Sequence, residues 1–292
     1  MCAANQDDED PVADCTAALP LLAGRAMTTP ADILTLEPTG WPADAERSRF
    51  AGDWFIWQRK GGHRTSTDDM LTAWAAVCRA QRPVQRYCDL GCGIGSVLLL
   101  TSHALRPVKS LGVEAQAQSV ELARRTLSEL PNPPAIDVLH SDFREVTAER
   151  VGLFDLVTGS PPYLPLGTGV LSPDAQRRAC RFELRGGVEA YLETAARILT
   201  PTGEVHIVFQ TIWAPRVLAA AAAAGLALQW QLDVHMREGR TEPFLSTFSF
   251  AHASTHASQG GSTPRLDTLT IRDVRGEVTP AYQRLRTDLH LL

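Results

Sequence analysis

The segment Tyr87-Cys-Asp-Leu-Gly-Cys-Gly-Ile-Gly-Ser96 decides the fold of this chain of 292 residues. The residues before it, 84–90, predict a short strand that leads directly into three glycines at alternate positions. Glycines in such a turn let a ligand approach the backbone closely, and the helix predicted from Ser96 offers unpaired N–H groups in its first turn. Asp89 ends the strand, so the segment predicts a ligand site at a junction of strand, turn and helix.

Strands and helices alternate from this segment towards the C-terminus. This pattern predicts an α/β fold with a doubly wound, Rossmann-like sheet of seven strands, covered by helices on both faces. The last two of these strands are joined by a link of hairpin length, so we expect the last strand to be antiparallel. The strands are predicted at 84–90, 110–114, 135–140, 154–158, 203–209, 228–236 and 244–251, followed by a closing strand at 268–272 and a helix at 281–289.

Composition divides the chain into three parts. Residues 1–27 predict a disordered acidic tail, 28–66 an irregular N-terminal extension with an edge strand at 53–58, and 67–292 the main domain. A flexible loop is expected at about 252–263, which is rich in Ser, His, Gly and Thr. The net charge is −5, and the first 24 residues account for all of it, because the rest of the chain has 28 acidic and 28 basic residues. The acidic total therefore does not exclude a nucleic-acid substrate.

The cysteines and the hydropathy pattern indicate a cytoplasmic protein. None of the six cysteines forms a CxxC pair, so we expect reduced thiols and no metal site. The mean hydropathy is −0.10, and the apolar stretch in the tail is too short to span a membrane and lacks the basic residues of a signal peptide. We expect a monomer that does not bind membranes.

Three acidic residues follow three successive predicted strands. Asp89, Glu114 and Asp142 therefore face one crevice at the carboxyl ends of the sheet. Glu114 is placed to accept hydrogen bonds from ribose hydroxyls, Asp142 from an adenine amino group, and Asp89 from the ammonium end of a ligand. So many carboxylates suit a cationic ligand better than a dinucleotide, which predicts S-adenosylmethionine as the cofactor.

The segment Ser160-Pro-Pro-Tyr163 follows the fourth predicted strand and supplies the predicted catalytic residues, Ser160, Pro161, Pro162 and Tyr163. Two prolines stiffen the loop and leave their carbonyl groups as acceptors. An amino group conjugated to a ring, or an amide nitrogen, is a poor nucleophile because its lone pair is delocalised. Acceptors at Ser160 and Pro161 would hold such a nitrogen in line with a methyl donor, and Tyr163 would stack on the flat group.

These motifs resemble the class I S-adenosylmethionine-dependent methyltransferases, and more narrowly the bacterial tRNA (valine) adenine-N6 methyltransferases. Segments 63–76, 181–187 and 268–282 carry the narrower likeness, which covers roughly residues 50–292. The resemblance implies methylation of an adenine N6 in tRNA or another structured RNA. With the glycine loop included, the predicted cofactor-binding residues are Thr67, Asp68, Asp89, Gly91, Gly93, Gly95, Glu114, Asp142 and Phe143.

One position departs from this family, because Ser160 stands where the tRNA enzymes carry Asn. A hydroxyl is shorter and accepts hydrogen bonds more weakly than an amide carbonyl. An inactive relative that binds the cofactor only is therefore one open alternative. The other is a methyltransferase for a protein glutamine amide or other amino group, since the same tetrapeptide serves that reaction.

Basic residues flank the predicted crevice and predict an RNA-binding surface. One group precedes a helix for which Thr67 and Asp68 supply the predicted N-cap, and the other follows the Ser-Pro-Pro-Tyr segment. The candidates are Arg59, Lys60, Arg64, Arg177, Arg178, Arg181 and Arg185.

Overall fold

The computed structural model describes residues 39–80, 82–258, 260 and 262–291. The predicted tail at 1–27 and the first part of the extension lie outside the described residues. The described part of the extension contains a hairpin. Its strands, β1 (Ala45–Arg49) and β2 (Phe55–Arg59), pair antiparallel with each other. The predicted strand at 53–58 is thus confirmed as β2.

The first helix, α1 (Thr67–Arg79), begins with a capping box. The backbone N–H of Asp69 donates to the side chain of Ser66, and the backbone N–H of Ser66 donates to the Asp69 carboxylate at 2.9 Å. The sequence had suggested Thr67 and Asp68 as the cap, and this was wrong by one residue. Because Ser66 is the cap, Asp68 and Asp69 lie in the first turn, where the helix dipole favours negative charge.

The main sheet has eight strands in the order β10-β8-β9-β7-β6-β3-β4-β5. Only β9 is antiparallel to its neighbours, which confirms the doubly wound sheet and the returning strand. The expected number of seven was too low, because β10 also joins the sheet, parallel to β8. The strands are β3 (Arg86–Leu90), β4 (Lys109–Glu114), β5 (Ala135–His140), β6 (Phe154–Gly159), β7 (Leu199–Gln210), β8 (Leu226–Arg237), β9 (Leu245–His252) and β10 (Arg265–Arg272).

Helices cover both faces of the sheet. After α1 they are α2 (Ser96–Leu105), α3 (Ala117–Glu129), α4 (Ala148–Val151), α5 (Ala175–Arg181), α6 (Val188–Ile198), α7 (Ala214–Ala223), α8 (Ala253–Ser258) and α9 (Pro280–Asp288). The helix α8 falls where a flexible loop was expected. It is held by a hydrogen bond from the backbone N–H of Ala253 to the Gly225 carbonyl and by one from the Thr255 hydroxyl to the Pro201 carbonyl.

The hydrophobic core has a layer on each face of the sheet, as β7 illustrates. Val208 packs in the layer that contains Leu71 of α1, while its neighbours Ile207 and Phe209 pack in the layer that contains Leu192 of α6. Burial on both faces explains the continuous apolar runs in the strand sequences. In the described part of the chain, none of the helices is long and apolar enough to cross a membrane.

The closing helix α9 belongs to this core, because Leu285 is fully buried. We expect Leu285→Ala to lower the free energy of unfolding by about 2–5 kcal/mol through the cavity that it leaves. Leu266→Ala on β10 is the control: its side chain is 70% exposed, and we expect a change within about 0.5 kcal/mol. Urea unfolding measures both. Equal effects of the two substitutions would show that α9 is not docked on the sheet.

Candidate active site

A cavity of about 350 Å³ lies at the carboxyl ends of β3, β4, β6 and β7. Parallel strands bring their carboxyl ends to one edge, so the residues that follow them meet there. The helices α1, α5 and α6 supply further walls. The lining residues that matter below are Asp68, Asp69, Asp89, Gly91, Gly93, Glu114, Phe143, Ser160, Pro161, Pro162, Tyr163, Arg181, Arg185, Tyr191 and Gln210.

The glycine loop connects β3 to α2 and requires glycine for two separate reasons. Gly91 has a φ of +63°, and a Cβ atom there would lie 2.3 Å from the Tyr191 hydroxyl. Gly95 has a φ of +93° and caps α2 without a side-chain hydrogen bond. The loop therefore leaves the first turn of α2 open beside the cavity, as a site for a ligand requires.

Glu114 fixes the loop against the next strand. One of its carboxylate oxygens accepts a hydrogen bond from the backbone N–H of Gly93 at 2.9 Å, and the other from that of Gln116 at 2.6 Å. These two hydrogen bonds fix the glycine loop to the end of β4 and hold the Glu114 carboxylate at the cavity wall.

Asp89 is the most deeply buried acid in the cavity wall. The Thr158 hydroxyl donates to its Oδ1 at 2.7 Å, whereas Oδ2 is buried with no hydrogen-bond partner in the described part of the chain. Burial raises the pKa of Asp89 to about 8, against the Thr158 hydrogen bond, and the neighbouring Asp69 and Glu114 carboxylates raise it further. This buried oxygen at the cavity wall suits a cationic donor, and none of the described residues supplies one.

The other two acids come from the first turn of α1. Burial raises the pKa of both Asp68 and Asp69. Asp68 accepts a short hydrogen bond from the Tyr163 hydroxyl, and burial keeps the pKa of that phenol above its usual range. Among the described residues, no group of three or more His, Cys, Asp or Glu side chains is arranged to hold a metal ion.

The Ser-Pro-Pro-Tyr segment leaves the end of β6 and lines the cavity along its whole length. The Ser160 hydroxyl lies 3.3 Å from the Thr72 hydroxyl of α1. Pro161 and Pro162 are buried, and the ring of Tyr163 meets Phe209 edge-on, with 5.1 Å between the ring centroids. Both ends of the segment are therefore anchored.

Three predicted cofactor-binding residues do not line the cavity. The Thr67 side chain forms a hydrogen bond with Tyr282, and Gly95 lies within the glycine turn that leads into α2. Asp142 forms an ion pair of 2.6 Å with Arg144. Burial raises the pKa of Asp142 but the hydrogen bonds from Arg144 outweigh it, so the net shift is downward. Of this group, Phe143 does line the cavity.

The basic candidates separate into those near the cavity and those within the fold. Arg181 and Arg185 line the cavity, and Lys60, Arg64 and Arg177 are exposed outside it. Arg59 bridges Asp44 and Asp174 at 2.8 Å each, which ties the hairpin to the start of α5. The guanidinium of Arg178 is buried and donates to the Ser172 carbonyl.

Sequence reasoning missed several residues of the cavity. Gln210 ends β7, and the same strand-end argument that selected Glu114 could have found it. Asp69 could have been found from its place in the first turn of α1. Tyr191 of the cavity wall gave no comparable signal, and neither did Thr72, which lies behind Ser160 outside the cavity, because both positions depend on how α6 and α1 pack on the sheet.

Comparison with known proteins agrees with this geometry. The family model of the methyltransferase small domain matches residues 72–174. A tRNA1(Val) (adenine(37)-N6)-methyltransferase of Tolumonas auensis is 28% identical over 231 residues, which are 78% of this chain and 90% of that protein. A release factor glutamine methyltransferase of Caulobacter vibrioides is 32% identical over 145 residues, which are 47% and 50% of the two chains.

Among solved structures, a predicted O-methyltransferase from Agrobacterium tumefaciens superposes with a TM-score of 0.55 at 22% identity, covering 76% of this chain and 97% of that one. This likeness shows the fold. Fold, family model and relatives together define the chain as a class I S-adenosylmethionine-dependent methyltransferase. Within that class it is similar over most of its length to the tRNA1(Val) (adenine(37)-N6)-methyltransferases.

The cavity fits S-adenosylmethionine by its own chemistry. The cofactor carries a sulfonium and an ammonium group, and four carboxyl groups line the cavity against two arginines. We expect Asp89 Oδ2 to accept from the ammonium group, Glu114 from the ribose hydroxyls, and the glycine loop to pack against the ligand.

This assignment makes cofactor binding dependent on pH. Because the pKa of Asp89 is about 8, binding a cation there below pH 8 releases a proton. We expect the affinity for S-adenosylmethionine to rise between pH 6 and 8 by up to about tenfold per pH unit, as measured by calorimetry. Without the cofactor, the same shift lowers the free energy of unfolding as the pH rises from about 4 to 8, since the folded chain holds the proton more tightly than the unfolded one.

Asp89→Asn removes the titrating group, so we expect weaker binding without this pH dependence. Asp137→Asn on the exposed side of β5 is the control and should keep the profile of the unmodified chain. A flat profile in the unmodified chain would contradict the role of Asp89.

Proposed function

We propose that the chain transfers a methyl group from S-adenosylmethionine to the exocyclic N6 of an adenine in tRNA or another structured RNA. The single observation that carries the proposal is the position of Ser160-Pro-Pro-Tyr163 in the wall of the same cavity as the glycine loop and the carboxylates. Neutral acceptors in that position suit a planar amino group. They do not suit a hydroxyl substrate, which would need a base to remove its proton.

The reaction follows from what these residues do to the target nitrogen. Acceptors at the Ser160 hydroxyl and the Pro161 carbonyl hold its two N–H bonds and stabilise the positive charge that develops on it. Bound S-adenosylmethionine supplies an electrophilic methyl group. Ser160 and Pro161 would keep the lone pair of the nitrogen aimed at that methyl group, and one of the two N–H protons that they hold would pass to water after the transfer.

Tyr163 has a defined place in this scheme. Its hydroxyl donates to Asp68 and its ring is fixed by Phe209, so the ring is held still beside the substrate position. We expect the Tyr163 ring to stack on the planar target adenine. Burial, and then repulsion from the Asp68 carboxylate, raise the pKa of the phenol and keep it protonated.

Two findings favour RNA as the substrate. Arg181 and Arg185 lie at the cavity wall, where phosphates beside a flipped base would pass. The Tolumonas relative, which is named for a tRNA adenine, matches this chain along 90% of its own length, so the likeness extends beyond the cofactor-binding core.

Glutamine amides are the second candidate. The Caulobacter relative is named for a glutamine in a release factor, and an amide nitrogen meets the same two acceptors. The likeness to it spans only half of that protein, which makes RNA the better supported substrate.

The proposal is tested by incubating the chain with unmodified total tRNA and labelled S-adenosylmethionine and then separating the digested nucleosides. We expect the label in N6-methyladenosine, and ribonuclease treatment beforehand should abolish it. Label in protein that resists ribonuclease would favour the glutamine candidate. No transfer to either, with the cofactor bound, would identify an inactive relative.

Reversing a charge at the cavity wall should weaken RNA binding specifically. We expect Arg181→Glu to lower the affinity for tRNA and to reduce its salt dependence by roughly one charge, as measured by filter binding at several salt concentrations. The matched control is Arg82→Glu. Arg82 is an exposed arginine that precedes β3, at the amino ends of the parallel strands and away from the cavity. Equal losses in the two variants, or loss of cofactor binding in Arg181→Glu, would count against an RNA site at the cavity.

A further inference from the structure

Thr72 is a fully buried polar residue that touches the proposed substrate site without belonging to it. It lies one turn after Asp68 on α1. Its hydroxyl donates to the Asp68 carbonyl at 2.9 Å and lies 3.3 Å from the Ser160 hydroxyl. Its one hydroxyl group thus connects the helix backbone to the first residue of the Ser-Pro-Pro-Tyr segment.

The direction of these hydrogen bonds follows from counting protons. A hydroxyl has one proton to donate, and a carbonyl oxygen can only accept. The proton of Thr72 goes to the Asp68 carbonyl, so in the contact between Thr72 and Ser160 the donor is Ser160. The chain of donors therefore runs from Ser160 through Thr72 to Asp68.

We propose that Thr72 is a positioning residue that makes Ser160 an obligate acceptor for the target amine. With its proton held by Thr72, Ser160 can present only lone pairs to the cavity. This inference rests on the proposed function to the extent that a planar amine binds at Ser160. It explains how a serine can replace an amide oxygen: the amide oxygen accepts by its nature, and Ser160 accepts because Thr72 takes its proton.

Asp68 anchors both ends of the segment in this arrangement. Its carbonyl receives the proton of Thr72, and its carboxylate receives that of Tyr163. The first turn of α1 therefore sets the orientation of Ser160 and of Tyr163 together. Without Thr72, the Ser160 hydroxyl would rotate and could point its proton at the target nitrogen, whose lone pair must instead attack the methyl group.

The test is a pair of substitutions that remove the hydroxyl, Thr72→Val of equal shape and Thr72→Ala, which is better suited to a helix. We expect kcat for methyl transfer to fall about tenfold, the value of one hydrogen bond. KM for the RNA, and the Kd for S-adenosylmethionine by calorimetry, should each stay within about twofold. Thr72→Ser keeps a hydroxyl and should restore kcat.

Thr247→Val is the matched control. Thr247 is a buried threonine of β9 whose hydroxyl has no hydrogen-bond partner in the described part of the chain, and it lies outside the cavity. The same chemical change there should leave kcat as it is. A fall in kcat in this control equal to that in Thr72→Val would overturn the proposal in favour of a general packing effect.

A second arm places Thr72→Val in a Ser160→Asn background. An asparagine carbonyl needs no partner to be an acceptor, so we expect Thr72→Val to change kcat by less than about twofold there. The same tenfold loss in both backgrounds, or no loss in the Ser160 background, would overturn the role of Thr72. The proposed function is tested separately, because it fails if the unmodified chain forms no N6-methyladenosine. In that case the kcat values of the Thr72 and Thr247 variants are compared with whichever amine accepts the methyl group.

Discussion

The buried carboxylate at the end of β3 is the constraint on which the rest of the site depends. Tyr87, Thr158 and Asp89 form a chain of hydrogen bonds, each of 2.7 Å, that connects β3 to β6 inside the sheet. Because Thr158 donates to Asp89, the Tyr87 phenol must donate to Thr158. This chain satisfies one carboxylate oxygen and leaves the other for a ligand. Burying such a group is costly without a partner, which is why the cavity favours a cation.

The surroundings of Asp89 follow from that constraint. The glycine loop must pass close to the carboxylate, so Gly91 packs directly against Tyr191 where a side chain would clash. Glu114 then fixes the loop through the backbone of Gly93. On the opposite wall, α1 supplies the hydrogen bonds that orient the Ser-Pro-Pro-Tyr segment. The cavity thus combines buried carboxyl groups with the neutral acceptors of the Ser-Pro-Pro-Tyr segment, which is the combination that the proposed transfer to a neutral amine needs.

Much of the fold could be predicted from the sequence, because strand and helix periodicity is a local property. The helix that begins at Ser96 and the strand at 135–140 lie where they were predicted. The number of strands could not be predicted in the same way, since β10 joins the sheet through a parallel pairing with β8 that only the tertiary fold decides. The capping box at Ser66 was missed because Thr67 and Asp68 are equally good caps by residue type.

The site was predictable where a residue sits at a strand end and less so where partners are distant in sequence. Asp89, Glu114 and Ser160 meet as the strand order requires. Asp142 also follows a strand, but the nearby Arg144 binds its carboxylate, and no spacing rule revealed that pairing. Arg59 and Arg178 have the right charge for RNA, yet partners far along the chain or in the backbone hold them within the fold.

The proposed methylation of an RNA adenine in this cavity can be tested most directly in the cell. Nucleosides from purified tRNA would be compared by mass spectrometry between cells that encode the chain, cells that lack it, and cells complemented with the unmodified chain. The account predicts that one N6-methyladenosine is lost with the gene and returns on complementation. A nucleoside profile that does not change between the three would contradict it.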